Sequence, residues 1–200
     1  MPMTPKVLIV DVESTCWEGS MLPDGRGQGV ENMEIIELGC VMCDRSGQLL
    51  DSASFLVKPI DHPSLSDFCQ SLTGISQQTI SEATPFKDTI QRLNDWIGVQ
   101  NSSFIWASWG NYDRLHLEAD SSKRNATPEL LRYDHLNLRK LWRLTTKQRK
   151  KNSLRDALNY HAFSFEGHQH SGLDDAKNTA KLLSCVDWTR ADEALTRAGE

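Results

Sequence analysis

Two hundred residues, 38% of them hydrophobic and 24% charged, are enough to bury one sizeable core and too apolar for a disordered chain. No apolar run approaches the roughly 20 residues that cross a bilayer, and the N-terminus lacks a basic segment followed by a signal-peptide core, so a cytoplasmic location with no membrane contact is expected. The net charge of −5 argues against indiscriminate binding to nucleic acid but leaves room for a local basic groove, and five scattered cysteines form no disulfide framework.

The first element is Val7-Leu8-Ile9-Val10-Asp11-Val12-Glu13. Four apolar, mostly β-branched residues in a row read as a strand buried on both faces, yet two of the next three positions are carboxylates. On a strand, residues i and i+2 share a face, so Asp11 and Glu13 converge while Val12 stays in the core. Two carboxylates about 4 Å apart repel by roughly 4 kcal/mol at an effective dielectric near 20. A divalent cation reverses that sign, and oxygen-only ligation favours magnesium or manganese over zinc. An ordinary strand end with two solvated acids has the same pattern.

Gly19 to Asn32 is a polar, glycine-bearing connection with no Gly-Lys-Ser/Thr after it, so it is not a phosphate loop. Glu34 to Met42 reads as a strand, Asp44-Arg-Ser-Gly47 as a turn and Leu49 to Val57 as the next strand, together an antiparallel meander. Cys40 and Cys43, in a lone CxxC, face opposite sides of their strand and are not expected to bind zinc. Ser64-Leu-Ser-Asp67 resembles a capping box for a short helix that Gly74 ends. Thr84-Pro85 reads as N-cap and first residue of a longer helix whose apolar face is Phe86, Ile90, Leu93 and Ile97.

Phe104 to Trp109 is another apolar strand, and the helical Tyr112 to Glu118 follows it, which puts Asp113 in a first helical turn just past a strand end. Open α/β sheets collect ligands there, although an acid also favours that end of a helix dipole without any ligand. A fifth strand is expected near Arg132 to Leu136 and a helix from about Asn137 to Leu144. Arg139 to Lys151 holds seven basic residues in thirteen and no acid. Such a run either follows a phosphate backbone, with Trp142 or a nearby ring available for stacking, or is a solvated helix end. Ser153 caps a helix carrying Leu154, Ala157 and Leu158.

In His168 to Asn178, Ala176, Ala180 and Leu183 mark the inward stripe of a helix over about Gly172 to Cys185. Asp175 lies near its start. Five residues are about 140° around a helix, so His170 belongs on the preceding loop, free to face whatever Asp175 enters. A loop histidine titrating near neutrality is suited to taking a proton from water. His168 and His170 also read as a plain surface pair.

Taken in order, these phrases resemble the DnaQ-like 3′-to-5′ exonucleases of the DEDDh type, closest to the enhanced-RNAi and Snipper-type enzymes and their small bacterial relatives. The resemblance rests on Asp11-Val-Glu-Ser-Thr-Cys-Trp17, Leu65-Ser-Asp-Phe-Cys-Gln-Ser-Leu-Thr-Gly-Ile75, Ser108-Trp-Gly-Asn-Tyr-Asp113, Asn137-Leu-Arg-Lys-Leu-Trp142 and Gly167-His-Gln-His-Ser-Gly-Leu-Asp-Asp-Ala-Lys-Asn178, and spans roughly residues 6 to 187. It implies a single exonuclease domain over 1–200 on the RNase H-like α/β fold, a mixed central sheet of about five strands flanked by helices.

The resemblance further implies two magnesium or manganese ions. Asp11 would lie between them, Glu13 and Asp175 would hold the first, and Asp113 would act on the second. His170 would be the general base, and of the adjacent acids Asp174 and Asp175 the H-x(4)-D spacing selects Asp175. Ser14, Thr15 and Cys16 would approach the terminal sugar, and Leu72, Thr73 and Ile75 the terminal base. The implied partners are 3′ ends of single-stranded RNA or DNA, with no obligate protein partner. A non-catalytic RNase H-like module that binds nucleic acid or protein is the alternative.

Overall fold

The computed structural model describes residues 6–99, 103–149 and 152–198. Strand β1 (Lys6–Ser14) lies at the centre, flanked by β2 (Ile35–Cys43) and, beyond it, β3 (Leu49–Lys58). Both of these pairings are antiparallel, the expected meander. After it come α1 (Asp67–Thr73), α2 (Gln77–Ser81), β4 (Thr84–Pro85), α3 (Phe86–Val99), β5 (Phe104–Ser108) and α4 (Tyr112–Arg124). The chain ends with β6 (His135–Asn137), α5 (Leu138–Thr146), α6 (Leu154–Tyr160), α7 (Gly172–Lys181) and β7 (Leu195–Thr196), with short 3-10 turns between. β5 joins β1 in parallel on the side away from β2, and β6 joins β5 in parallel.

Among the described residues the sheet is mixed and has seven strands, in the order β4-β3-β2-β1-β5-β6-β7, where the sequence predicts about five. The two added strands, β4 and β7, are edge pairs of two residues each, too short to show an alternating pattern. β4 consists of Thr84 and Pro85, so the expected helix starts one residue later, at Phe86. Proline lacks an N–H to donate, which an edge strand tolerates. The last expected helix is also shorter: α7 stops at Lys181, and Leu182–Cys185 tightens into a 3-10 turn.

β1 is buried on both faces, as its composition predicts. Leu8, Val10 and Val12 pack with Phe86, Ile90, Leu93 and Ile97 of α3 and Leu117 of α4. Val7 and Ile9 pack on the other face with Leu141 of α5, Ala157 and Leu158 of α6, and Ala176 and Ala180 of α7. At roughly 1.5–3 kcal/mol for each large apolar side chain removed from water, this central strand anchors both layers. Cys40 and Cys43 fall in opposite layers, so the CxxC cannot chelate one ion. Trp142 is fully buried and its Nε1 donates to His161 Nε2 at 2.9 Å, which corrects its expected availability for stacking. Within the basic stretch, Lys150 and Lys151 lie outside the described residues.

Candidate active site

The period of β1 extends into chemistry at its carboxyl end. Asp11 and Glu13 continue the face that carries Val7 and Ile9, toward α7. β1 and β5 run parallel and their chains leave in different directions, which opens the crevice where α/β sheets bind ligands. Asp113, in the first turn of α4, enters from the β5 side. Its Oδ1 accepts the Val12 N–H at 3.0 Å, fixing α4 against β1.

Asp175 enters from α7, and its position depends on the loop before the helix. His170 has a left-handed backbone, φ 67°, a conformation that a non-glycine side chain adopts only when its surroundings hold it there. The Asp175 carboxylate holds it, accepting the His170 N–H at 2.8 Å. His170 stands on the loop, one helical start away from Asp175, as the 140° offset requires. Asp174 turns elsewhere: its Oδ2 accepts the His168 N–H at 2.9 Å.

Helix α7 reaches this depth because two glycines meet. A β-carbon on Gly39 of β2 would overlap the backbone of Gly172, so the first turn of α7 rests directly on the sheet. Glu37, two residues before Gly39, pairs with Glu13 across the strands and is 5% exposed. Its two oxygens accept the Ser54 hydroxyl at 2.7 Å and the Gly172 N–H at 2.9 Å. Glu37 is not among the expected site residues, although a glutamate inside an apolar strand is the same signal that singles out Asp11. Truncation at this site, Glu37→Ala, is expected to cost about 1–3 kcal/mol in urea unfolding, because the buried Gly172 N–H loses its acceptor and the Ser54 hydroxyl loses its partner. Glu37→Gln keeps an oxygen toward Gly172 and is expected to lose less than half of that.

Asp11, Glu13, Asp113, His170 and Asp175 all line one cavity of about 430 Å³. Among the described residues, the ligand atoms of Glu13, His170 and Asp175 lie within 4.8 Å of one another. Burial, then Asp113, Glu13 and Asp175, holds the Asp11 carboxyl well above its ordinary range. Burial chiefly, with Asp175 and Glu37, pushes Glu13 up to about 9. Burial raises Asp113 against the Val12 N–H, and raises Asp175 to about 6 against the His170 N–H. The His170 imidazole is lowered, by burial and then by His168. Carboxylates that resist one another's ionisation to this degree, with oxygen as the main donor, suit a divalent cation.

The remaining expected site residues divide. Ser14, Cys16 and Leu72 line the cavity, whereas Thr15, Thr73 and Ile75 do not. Thr15 Oγ1 accepts the Glu34 N–H, Thr73 Oγ1 donates to the Cys69 carbonyl, and Ile75 packs among Ile36, Leu65 and Ile80. All three are buried supports of the wall. Trp109, Tyr112, Arg139, Arg155, Phe165 and Gln169 also line it and are not singled out as site residues by the sequence reading.

A mixed sheet of this topology with an acid-lined crevice at the end of its central strand defines a nuclease domain of the DEDDh type on the RNase H-like fold. The chain belongs to the RNase_T exonuclease family, whose pattern matches residues 8–183. It is 32% identical to ERI1 exoribonuclease 2 of Xenopus laevis, over 89% of this chain and 28% of that protein. It is 30% identical to the 3′-5′ exonuclease Snipper of Drosophila melanogaster, over 88% and 67%. The nuclease domain of 3′hExo, a DEDDh family member crystallised with rAMP, superposes with a TM-score of 0.82 at 26% identity, covering 100% of this chain and 98% of that one. The chain spans little more than a quarter of the length of the ERI1 exoribonuclease 2 proteins of Xenopus laevis, Homo sapiens and Mus musculus. No helix among the described residues is long and apolar enough to cross a membrane.

Proposed function

We propose that this chain is a divalent-metal-dependent 3′-to-5′ exonuclease that hydrolyses single-stranded RNA or DNA, or 3′ overhangs, to nucleoside 5′-monophosphates. The observation that carries this reading is the convergence of Asp11, Glu13, Asp113, His170 and Asp175 on one cavity at the end of β1. Asp11, Glu13, Asp113 and Asp175 would hold two magnesium or manganese ions. Such ions, when bound, make water more acidic and neutralise charge on the departing 3′ oxygen.

His170 is the general base. Its ring lies beside the Glu13 and Asp175 carboxylates, and its lowered pKa leaves Nδ1 or Nε2 unprotonated at neutral pH, able to take the proton of the attacking water. The ring is half-buried, so the proton has a route to solvent. Ser14, Cys16 and Leu72 contact the terminal nucleotide, and Thr15, Thr73 and Ile75 hold those contacts from behind. The names of the relatives, exoribonuclease and 3′-5′ exonuclease, support the reaction and its direction.

On matched 5′-labelled single-stranded RNA and DNA with magnesium, the expected product is a ladder shortening one nucleotide at a time from the 3′ end, abolished by EDTA. Tight binding without cleavage in both magnesium and manganese would establish a non-catalytic binding module instead.

A further inference from the structure

The proposed reaction brings a polyanion to a cavity lined by four carboxylates, so some part of the wall must supply positive charge. Arg139 and Arg155 line the same cavity. Each is the second residue of its helix, α5 and α6. A cation in the first turn faces the positive end of the helix dipole, so helix stability does not account for either. Among the described residues neither makes an ion pair, whereas Arg114, Arg124 and Arg190 each do. Arg139 is half-buried, and its guanidinium lies along Gly110 in the loop between β5 and α4. A β-carbon at Gly110 would stand 3.2 Å from Arg139 Nη2, so the missing side chain makes the space the guanidinium uses.

A half-buried guanidinium that makes no direct ion pair among the described residues, open to a substrate cavity, matches the planar two-oxygen face of a phosphodiester. We propose that Arg139, assisted by the more exposed Arg155, forms the subsite for one internucleotide phosphate of a single-stranded substrate. This rests on the nuclease reading above. The rival role for Arg139 is electrostatic support of nearby Asp113, whose carboxyl it helps to ionise. That role would change turnover and leave recognition of the chain intact.

A methylphosphonate scan tests the proposal. Each internucleotide linkage of a 5′-fluorescein oligonucleotide is neutralised in turn, and Kd is read by anisotropy in EDTA, alongside KM and kcat in magnesium. Arg139→Gln is expected to raise KM and Kd by on the order of tenfold and to make the salt dependence of log Kd shallower by about 0.7. At one linkage, the neutral phosphate and Arg139→Gln should not add, since each removes the same contact. Arg139→Lys, which keeps the charge but not the fork, is expected to fall between. Additive penalties at every linkage, or a loss of kcat with KM and Kd unchanged, would overturn the subsite. A wild-type protein that binds but does not cleave would fail the nuclease reading, while the Kd scan would still decide on Arg139.

Discussion

Asp11→Asn is expected to lower kcat by at least about 10³-fold in magnesium, and also to raise the melting temperature of the metal-free protein. The two effects have one cause. Asp11 is held above its ordinary range by burial and by Asp113, Glu13, Asp175 and Glu37, so in the absence of metal its ionisation is opposed by the fold. Asparagine keeps the shape and removes the charge. Glu13 gives the pH window. Its pKa rises from an ordinary 4.5 to about 9 in the folded chain, so its contribution to stability is full below 4.5 and lost as pH rises through 9.

Thermal melts in EDTA should therefore show the wild-type protein losing stability from pH 5 to 9, and Asp11→Asn losing less. Magnesium should raise the wild-type melting temperature more at pH 8 than at pH 6, because ligands must release protons to bind it, and should raise that of the variant much less. An Asp11→Asn protein that cleaves at the wild-type rate, or whose melting temperature magnesium raises as much as that of wild type, would remove Asp11 from the metal site.

The second large effect is expected from His170→Ala, a loss of about 10²–10⁴-fold in kcat, the usual contribution of a positioned general base. Since position 170 already holds a non-glycine residue at φ 67°, alanine adds no new backbone strain there, and the fold should be kept. The wild-type kcat/KM should fall on the acid side with a midpoint below the ordinary histidine value of 6.5, because burial and His168 lower the imidazole pKa. With magnesium high enough to saturate the site at every pH, so that proton release from Glu13 and Asp175 does not set the acid limb, that limb should vanish in His170→Ala. The magnesium-induced rise in melting temperature separates base from ligand, since His170 is close enough to Glu13 and Asp175 to share an ion with them. Retention of that rise with loss of turnover marks a base; loss of both marks a metal ligand.

The arginine and glutamate beside these groups show how differently residues announce themselves in a chain. Asp11 and Glu13 are legible because they interrupt an apolar strand, and Glu37 interrupts its own strand in the same way. Its partners, Ser54 and Gly172, lie 17 and 135 residues away, so only the folded chain shows what it binds. Arg139 sits in a visibly basic run, but Trp142, three residues on, is in the core and Arg143 donates to the carbonyls of Gln148 and Arg149. Charge density alone does not separate a residue aimed at the cavity from one that ties down its own loop.

By itself the sequence determined the features that local periodicity dictates: a central strand buried on both faces, two acids on one side of it, cysteines on opposite sides of the next strand, and a histidine on the loop before the helix of Asp175. These are short-range consequences of 2.0- and 3.6-residue repeats. Tertiary structure alone decided the two-residue edge strands, the burial of Thr15, Thr73, Ile75 and Trp142, and the seating of α7 on Gly39. Each of those depends on atoms brought together from distant parts of the chain, where packing and not local period sets which side chain faces the cavity and which is sealed behind it.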